Sequence, residues 1–182
     1  RMIQTPTFIV DEDRCRTNIR VMAEKARRSN VIFRPHFKTH QSIEIGSWFR
    51  DEGVDHITTS SLTMAAYFTK DGWKDITVAF PANVLEIDLI NRLAHSITLT
   101  LVVESPATVH ELAKRLTGHI NIYIKLDIGY HRTGIAPESE ELISEMLETI
   151  ESSERMTIKG FLGHAGHSYA SANAGEIARI HE

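Results

Sequence analysis

The sequence has a single cysteine, few prolines and no long apolar run. Cys15 is the only cysteine among 182 residues, so neither an internal disulfide nor a cysteine-based zinc site can form within the chain. No stretch reaches the roughly 20 apolar residues that a membrane-spanning helix needs, and no signal-peptide pattern is present. We therefore predict a cytoplasmic protein with no membrane partner.

The charges are mixed in sign and spread along the chain. The net charge is −4, the isoelectric point is about 6.2, and lysine and arginine are scattered rather than clustered. This distribution offers no basic surface to a phosphate backbone, so we predict no nucleic-acid partner, whereas a small anionic ligand is compatible with it. With 42% hydrophobic and 24% charged residues, the chain is expected to be globular and to bury a core.

Strand-like and helix-like segments alternate along the whole chain. The predicted strands are residues 31–38, 55–60, 75–81, 97–104, 120–127 and 157–163, preceded by a short β-rich run at 7–10. The first predicted helix follows the cap candidates Asp11 and Asp13. Further helices are predicted at 41–52, 61–71, 83–95, 105–117 and 137–151, and one begins near Ala172. This alternation is typical of parallel βαβ units.

We predict an α/β fold of the TIM-type (β/α)8 barrel class, with residues 1–182 forming one domain that is an N-terminal portion with about six barrel strands. The alternative is a doubly wound open sheet, but its glycine-rich fingerprint G-x-G-x-x-G is absent. A closed barrel needs eight strands and roughly 250 residues. Since the chain begins at Arg1 and ends at Glu182 within a helical pattern, we expect a longer polypeptide whose other segments cover the sheet edges.

Three potential cations share one face of the predicted strand 31–38. Arg34, His36 and Lys38 alternate with apolar residues and approach the carboxyl end of the strand, where catalytic groups project in a parallel barrel. A cationic face inside a barrel is costly without an anionic partner. Lys38 is then either a solvated lysine beyond the strand or an amine whose pKa is lowered by positive neighbours and desolvation, able to condense with an aldehyde.

A resemblance to a known family begins in this segment. Residues 34–40, Arg-Pro-His-Phe-Lys-Thr-His, resemble the lysine motif of the D-threonine aldolase and D-serine dehydratase family, and the opening Thr5-Pro6-Thr7 is similar too. That family belongs to the alanine racemase-like, fold type III enzymes that use pyridoxal 5'-phosphate (PLP). The resemblance implies that Lys38 holds PLP as a Schiff base and that His36 helps to bind it. Phe37 departs from the family, whose members mostly have a small or branched residue there.

A second motif follows the strand 120–127. Residues 127–134 read Asp-Ile-Gly-Tyr-His-Arg-Thr-Gly and resemble the family's Asp-x-Gly-x-x-Arg-x-Gly segment. Gly129 and Gly134 allow a tight loop that returns Arg132 toward the strand end. On residue type alone, a loop arginine is more often a solvated charge. The resemblance implies instead that Arg132 lies near the cofactor ring and stabilises anionic oxygen of the cofactor or the substrate.

A third group of polar residues closes the last predicted strand. His164, His167 and Tyr169 fall within six residues, and this set is compatible with a metal site, an acid–base pair or a polar turn. Because the two histidines lack a third local ligand, we predict no metal site in this chain. The resemblance implies an active-site loop in which His164 lies beside the cofactor and His167 or Tyr169 contacts the substrate hydroxyl.

The resemblance also implies an activity: a PLP-dependent lyase that acts on D-amino acids with a β-hydroxyl group. Aldol cleavage gives glycine and an aldehyde, whereas α-proton removal by Lys38 and loss of hydroxide give a keto acid and ammonia. Two alternatives stay open, an alanine-type amino-acid racemase and a non-catalytic PLP-binding protein of cofactor homeostasis. In the full-length protein we expect a divalent metal and a homodimer, and we expect this chain alone to be inactive.

Overall fold

A computed structural model describes residues 4–5 and 7–180. Pro6, Arg1 and Glu182, which the sequence predictions mention, lie outside these residues. The helices of the described part are α1 (Glu12–Arg28), α2 (Ile43–Asp51), α3 (Leu62–Lys70), α4 (Ile87–Ala94), α5 (Pro106–Arg115), α6 (Glu140–Glu151) and α7 (Ala174–Ile180). The strands are β1 (His56–Thr59), β2 (Asp75–Pro81), β3 (Thr98–Val103), β4 (Ile120–Leu126) and β5 (Met156–Gly163).

The five strands form one parallel sheet in the order β1-β2-β3-β4-β5. Each strand pairs with the next one along the chain, and a helix lies in every connection between them. Parallel neighbours need such crossovers, because a tight turn can join only antiparallel strands. This arrangement confirms the predicted α/β fold, although the sheet does not close into a barrel within the described residues.

Residues 31–38 correct the prediction of a sixth barrel strand. Only His36 pairs with the sheet, through an isolated parallel bridge to Thr58, and the chain then enters a short 3-10 helix, Phe37–Thr39. The physical reason is Pro35, whose carbonyl accepts from the Thr58 amide at 2.8 Å but which has no N–H to continue a ladder.

The β-rich run 7–10 is not a strand either. It pairs with no strand among the described residues, and Phe8 and Ile9 are largely exposed. β-Branched and aromatic content therefore misled the prediction here, because this content favours a strand only where a neighbouring strand is available.

The two faces of the sheet differ in character. The face toward the helices is apolar and includes Ile76, Leu99 and Ile124, all fully buried. On the opposite, inward face, the register places Thr58, Thr77 and Thr100 side by side, and each is buried. Buried threonine hydroxyls require hydrogen-bond partners, so the inward face is suited to a polar interior rather than to a second apolar layer.

Side-chain caps fix where several helices begin. Asp11 accepts from the Arg14 amide at 3.0 Å and starts α1, as one of the two predicted cap candidates. Ser61 and Ser105 cap α3 and α5 in the same way, directly after β1 and β3. These caps keep the connections short at the carboxyl edge of the sheet. In the part of the chain described, no helix is long and apolar enough to cross a membrane.

Candidate functional site

A cavity of about 950 Å³ opens at the carboxyl edge of the sheet. Four cationic side chains line it. Lys38 comes from the turn before α2, Lys125 from the end of β4 and Arg132 from the loop that follows, and Arg14 comes from α1. His164, just after β5, completes this wall, and α1 forms part of the opposite one. The carboxyl ends of parallel strands are where barrel enzymes place their functional groups.

The structure brings most of the sequence-predicted residues together. Lys38, His36, Arg132, His164 and Tyr169 all line the same cavity, although they are up to 133 positions apart in the sequence. Each reaches the cavity from a turn or loop at the end of a strand or bridge. Loops held by a rigid sheet are the usual carriers of binding groups.

Lys38 occupies the middle of the 3-10 turn, and the two residues before it hold it in place. Its amide donates to His36 Nδ1 at 3.3 Å, while Phe37 is completely buried and anchors the turn in the core. Phe37 packs within 5.2 Å, centroid to centroid, of Phe49, Phe68 and Trp73. The residue that departs from the family pattern is therefore the aromatic anchor behind the candidate lysine.

His36 is held in its neutral form. Burial is the main cause, and with the positive charges of Lys38 and His164 it lowers the pKa of His36 to about 4, while a backbone contact with Thr58 opposes the shift. Because Nδ1 accepts the Lys38 amide, His36 acts as a hydrogen-bond acceptor toward the lysine turn.

His164 is also shifted toward the neutral form. Burial lowers its pKa first, and the charges of Arg132, Lys125 and Lys38 add to that effect. Its ring makes edge contacts with Tyr130 and Tyr169, at centroid distances of 5.5 and 5.9 Å. The ring is thus fixed between two phenols and keeps a free lone pair near neutral pH.

Arg132 is available for an anion. Its guanidinium lies 5.2 Å from the centre of the Tyr130 ring, and among the described residues no carboxylate forms an ion pair with it. The Lys38 ammonium likewise has no carboxylate partner within the described ranges. Two unneutralised cations on one cavity favour a ligand with anionic oxygen atoms.

His167 does not reach the cavity. A short 3-10 helix, Gly166–Ala170, sends His167 and Tyr169 to different sides, so that Tyr169 lines the cavity and His167 packs on Tyr130, with ring centroids 6.5 Å apart. Its Nδ1 is buried, with no hydrogen-bond partner in the described part of the protein. Because His167 and Tyr169 are only two positions apart, the sequence could not predict which of them lines the cavity.

Arg34 lies away from the other two predicted cations. Its guanidinium donates to Asp75 Oδ1 at 2.7 Å and lies near the Ile57 carbonyl, at the amino end of β2. The expectation of three cations at one site is therefore wrong for Arg34. Arg34 and Lys38 are four positions apart in an extended segment, and this spacing places Arg34 near the opposite end of the sheet.

Lys125 is a cavity residue that sequence reasoning did not single out. It is only 5% exposed, and its pKa is lowered by burial and by Arg132, against the opposing charges of Glu104 and Asp127. The available signal was its place in a buried strand on the same pleat face as Tyr123 and Asp127. A lysine in that position is rarely buried without a functional or ionic reason.

His40 is a second cavity residue to which sequence reasoning gave no role. Its Nδ1 accepts the Ser42 amide at 3.0 Å, so a neutral ring carries its proton on Nε2. Burial lowers the pKa of His40, and Nε2 has no hydrogen-bond partner among the described residues. The ring stacks on Phe49 with a centroid distance of 5.9 Å.

The chemistry of the cavity fits an aromatic aldehyde that carries anionic groups. Its volume lies within the usual range of small-molecule sites, roughly 300–1,000 Å³. Primary amines and guanidinium groups line it and form no ion pair with a carboxylate among the described residues, and the nearby histidines are held neutral. Within the described ranges, no group of three or more histidine, cysteine, aspartate or glutamate side chains is placed to hold a metal ion.

The comparisons with known proteins agree with this geometry. The family model "Alanine racemase, N-terminal domain" matches residues 10–182. The D-serine dehydratase of Dictyostelium discoideum is 28% identical over 98% of the chain, and the D-threo-3-hydroxyaspartate dehydratase of Delftia sp. strain HT23 is 30% identical over 92%. A solved D-threo-3-hydroxyaspartate dehydratase variant in the metal-free form superposes with a TM-score of 0.90 over 98% of the chain, at 27% identity.

The chain spans about half the length of these relatives. It covers 49% of the Dictyostelium enzyme, 45% of the Delftia enzyme and 48% of the solved variant. The similarity therefore extends along nearly all of this chain but reaches only one half of each known protein.

Proposed function

This chain belongs to the family of the alanine racemase N-terminal domain, and on that premise we propose that the whole protein is a PLP-dependent lyase for D-amino acids with a β-hydroxyl group. The observation that carries the proposal is the convergence of Lys38, Arg132 and His164 on one cavity from three separate turns and loops at the carboxyl edge of the sheet. The names of the relatives support the reaction class, since D-serine and D-threo-3-hydroxyaspartate, the substrates in those names, are both β-hydroxy amino acids.

The residues of the cavity divide the task of holding PLP. Lys38 supplies the amine that would hold the aldehyde, and Arg132 and Lys125 supply positive charge for anionic oxygen atoms. His164 would lie beside the cofactor ring, and His36 would support the lysine turn. When bound, PLP supplies an electron sink for the bonds at the substrate α-carbon.

The side chains also determine where protons can reside. Lys38 Nζ would hold the proton taken from the α-carbon, because Lys38 lines the cavity and a positioned amine can act as a general base there. His36, with a pKa of about 4, does not compete for that proton at neutral pH. Arg132 would orient the substrate carboxylate, while Tyr169, which lines the cavity, would contact the substrate hydroxyl.

The proposal includes three properties of the complete protein. A divalent metal near the substrate hydroxyl is supported by the relative that is named in a metal-free form. A homodimer is what the family resemblance implies for the complete protein. A cytoplasmic location is consistent with the free thiol of Cys15.

The test is an assay of the complete protein with D-serine, D-threonine, D-threo-3-hydroxyaspartate and both alanine enantiomers, with and without divalent metal. Pyruvate from D-serine or oxaloacetate from the hydroxyaspartate is expected, and acetaldehyde from D-threonine would identify aldol cleavage. Lys38→Ala should abolish both product formation and the visible absorbance of bound PLP. Lys70→Ala, which changes an exposed lysine at the end of α3, is the matched control and should leave both unchanged.

Other outcomes point to the two alternatives. Interconversion of alanine enantiomers with no keto acid or aldehyde product would identify a racemase. Bound PLP without turnover of any of these substrates would identify a cofactor-binding protein. Normal PLP binding by Lys38→Ala would contradict the assigned role of Lys38.

A further inference from the structure

Arg132 lies in an irregular loop, residues 127–135, which we call the Arg132 loop. Apart from the Tyr130 ring in the same loop, no described side chain contacts its guanidinium in an ion pair, a hydrogen bond or a stacking arrangement. The position of the guanidinium at the cavity therefore depends on the conformation of the loop backbone. Anything that fixes this backbone fixes the Cα atom from which the Arg132 side chain extends to the cavity.

The first fixed point is the Asp127 carboxylate. Its Oδ1 accepts from the Gly129 amide at 3.1 Å and from the His131 amide at 2.9 Å, and its Oδ2 lies 3.1 Å from His131 Nδ1. These hydrogen bonds lower the pKa of Asp127, the His131 amide having the largest effect. They also hold His131 at a positive φ of 55°, which is unusual for a residue with a side chain.

The second fixed point comes from the neighbouring strand. Glu104, the first residue after β3, accepts from the Gly134 amide through Oε2 at 2.7 Å. Gly134 has a φ of 105° and lies so near the backbone of Leu126 and Asp127 that a Cβ atom would be 2.6 Å from them. The close approach and the carboxylate together restrict the path of the chain after Arg132.

The loop closes on the end of β4. The Ile135 amide donates to the Lys125 carbonyl at 3.0 Å, and the Asp127 amide donates to the Ile135 carbonyl at 2.8 Å. Arg132 thus lies between His131, which Asp127 holds, and Gly134, which Glu104 holds. No other side chain described in the structure hydrogen-bonds to a backbone amide of this loop.

We propose that Asp127 and Glu104 are positioning residues whose carboxylates clamp the backbone on either side of Arg132 and so hold its guanidinium at the cavity. The clamp itself depends only on the geometry of the loop. Its consequence for cofactor or substrate binding rests on the proposed function.

Glu104 has a competing explanation as a counter-ion for the buried Lys125. Its negative charge opposes the lowering of the Lys125 pKa. A counter-ion needs a negative charge, whereas a clamp needs only an oxygen that accepts from Gly134. Glu104→Gln keeps an acceptor oxygen and removes the charge, and Glu104→Ala removes both. The two variants therefore separate the explanations.

The experiment measures amide hydrogen exchange in the complete protein without cofactor, in peptides that cover the Arg132 loop. Exchange is expected to accelerate by about tenfold or more in Glu104→Ala and Asp127→Ala, and to stay near wild type in Glu104→Gln. Glu138→Ala, an exposed residue close to the loop whose side chain makes no described hydrogen bond to it, is the control and should change nothing. Peptides from β2 report whether each variant remains folded.

Two results would overturn the clamp. Unchanged exchange in both alanine variants would show that the carboxylates do not hold the loop, and equal acceleration in Glu104→Gln and Glu104→Ala would assign Glu104 to Lys125 instead. If Asp127→Ala does not fold, Asp127→Asn replaces it. The asparagine side chain keeps one acceptor oxygen for the Gly129 and His131 amides but loses the carboxylate oxygen next to His131 Nδ1, so amide exchange in the loop should accelerate less than in an alanine variant. No acceleration at all in Asp127→Asn would also contradict the proposal.

A double-mutant cycle connects the clamp to binding. Glu104→Ala should weaken PLP binding by about tenfold in a protein with Arg132, and should have little effect when Arg132→Ala is already present, because the two act through one group. An equal effect of Glu104→Ala in both backgrounds would rule out action through Arg132. Failure of the wild-type protein to bind PLP would remove the proposed function but leave the exchange result valid.

Discussion

His36 sits between the sheet and the lysine turn, and its protonation would oppose the native structure. Its pKa in the folded protein is about 4, against an ordinary value of 6.5, because burial and the charges of Lys38 and His164 disfavour the imidazolium. Between these two values the unfolded chain binds more protons than the native state does. Stability contributed by neutral His36 is therefore complete above about pH 6.5 and is lost as the pH falls toward 4.

We predict that His36→Asn reduces this acid sensitivity. Asn can still accept from the Lys38 amide but cannot be protonated, so the fall in unfolding free energy between pH 7 and pH 5 should be smaller, by on the order of 1 kcal/mol after solvent screening is allowed for. Urea unfolding at several pH values measures it. His119→Gln, at an exposed site, should leave the dependence as in wild type; an unchanged slope in His36→Asn would contradict the assignment.

The motif spacing predicted the main cavity residues, but it could not predict every neighbour. Lys38, Arg132 and His164 lie together as expected, because each lies in a turn or loop that follows a strand end or bridge, and the carboxyl ends of parallel strands meet at one edge. Lys125 was missed, since it lies on the inward face of the sheet, and the sequence does not show that Arg132 and Glu104 come near it there. Arg34 was misplaced because pleat alternation specifies a face and not a height along the sheet.

At the scale of elements, the Arg132 loop depends on a glycine that cannot be replaced without a clash. Gly134 and Gly72 both have φ near +100°, at 105° and 92°, but a Cβ added at Gly134 would have backbone atoms within 3 Å, whereas one added at Gly72 would have nothing within 4 Å. The two sites therefore share the conformational strain and differ in the contact. A comparison of the same substitution at both sites isolates the cost of the close approach.

We predict that Gly134→Ala destabilises the protein more than Gly72→Ala. Gly72→Ala should cost about 1 kcal/mol, the usual penalty for a side chain at positive φ. Gly134→Ala should cost on the order of 2 kcal/mol more, because Leu126 or Asp127 must move. Urea unfolding of both variants under one condition gives the difference. Equal losses would mean that the loop can shift without cost.

The ends of helices and strands could be predicted where a capping residue or a change of hydrophobic pattern marks them in the sequence. Asp11 was a cap candidate and does start α1, and five strands fell within a few residues of their predicted places. The alternation of apolar and polar residues at 31–38 predicts a strand, but Pro35 lies in the middle of this segment and has no N–H to donate. The structure shows the proline to be decisive, since the ladder with β1 ends at that point.

At the scale of the whole molecule, a ligand that binds only the folded state must raise its stability. The proposed function therefore predicts that PLP stabilises the complete protein, by about 2.7 kcal/mol at a concentration one hundred times its Kd. Thermal unfolding at increasing PLP concentration measures this effect, and removal of PLP by dialysis should reverse it. Pyridoxine phosphate, which lacks the aldehyde, should stabilise less, and the difference between the two ligands should vanish in Lys38→Ala.

The overall architecture was predictable because every level of the sequence agreed with it. The alternation of strands and helices, the caps after strands and the apolar helix-facing residues all indicate parallel βαβ units. The extent of sheet closure was less accessible, because it depends on pairing between distant segments. The outer edge of β1 has only the His36 bridge, and the outer edge of β5 pairs with no strand among residues 4–5 and 7–180.

The aromatic anchor behind Lys38 gives the protein an optical reporter. Trp73 is 2% exposed and meets the Phe37 ring edge-on, while the Arg50 guanidinium lies 4.4 Å from its own ring centre. The Trp73 indole therefore packs directly against Phe37, the residue next to the candidate lysine. Any rearrangement of that turn changes the surroundings of a natural fluorophore, so tryptophan emission can follow events at the cavity in real time without an attached dye.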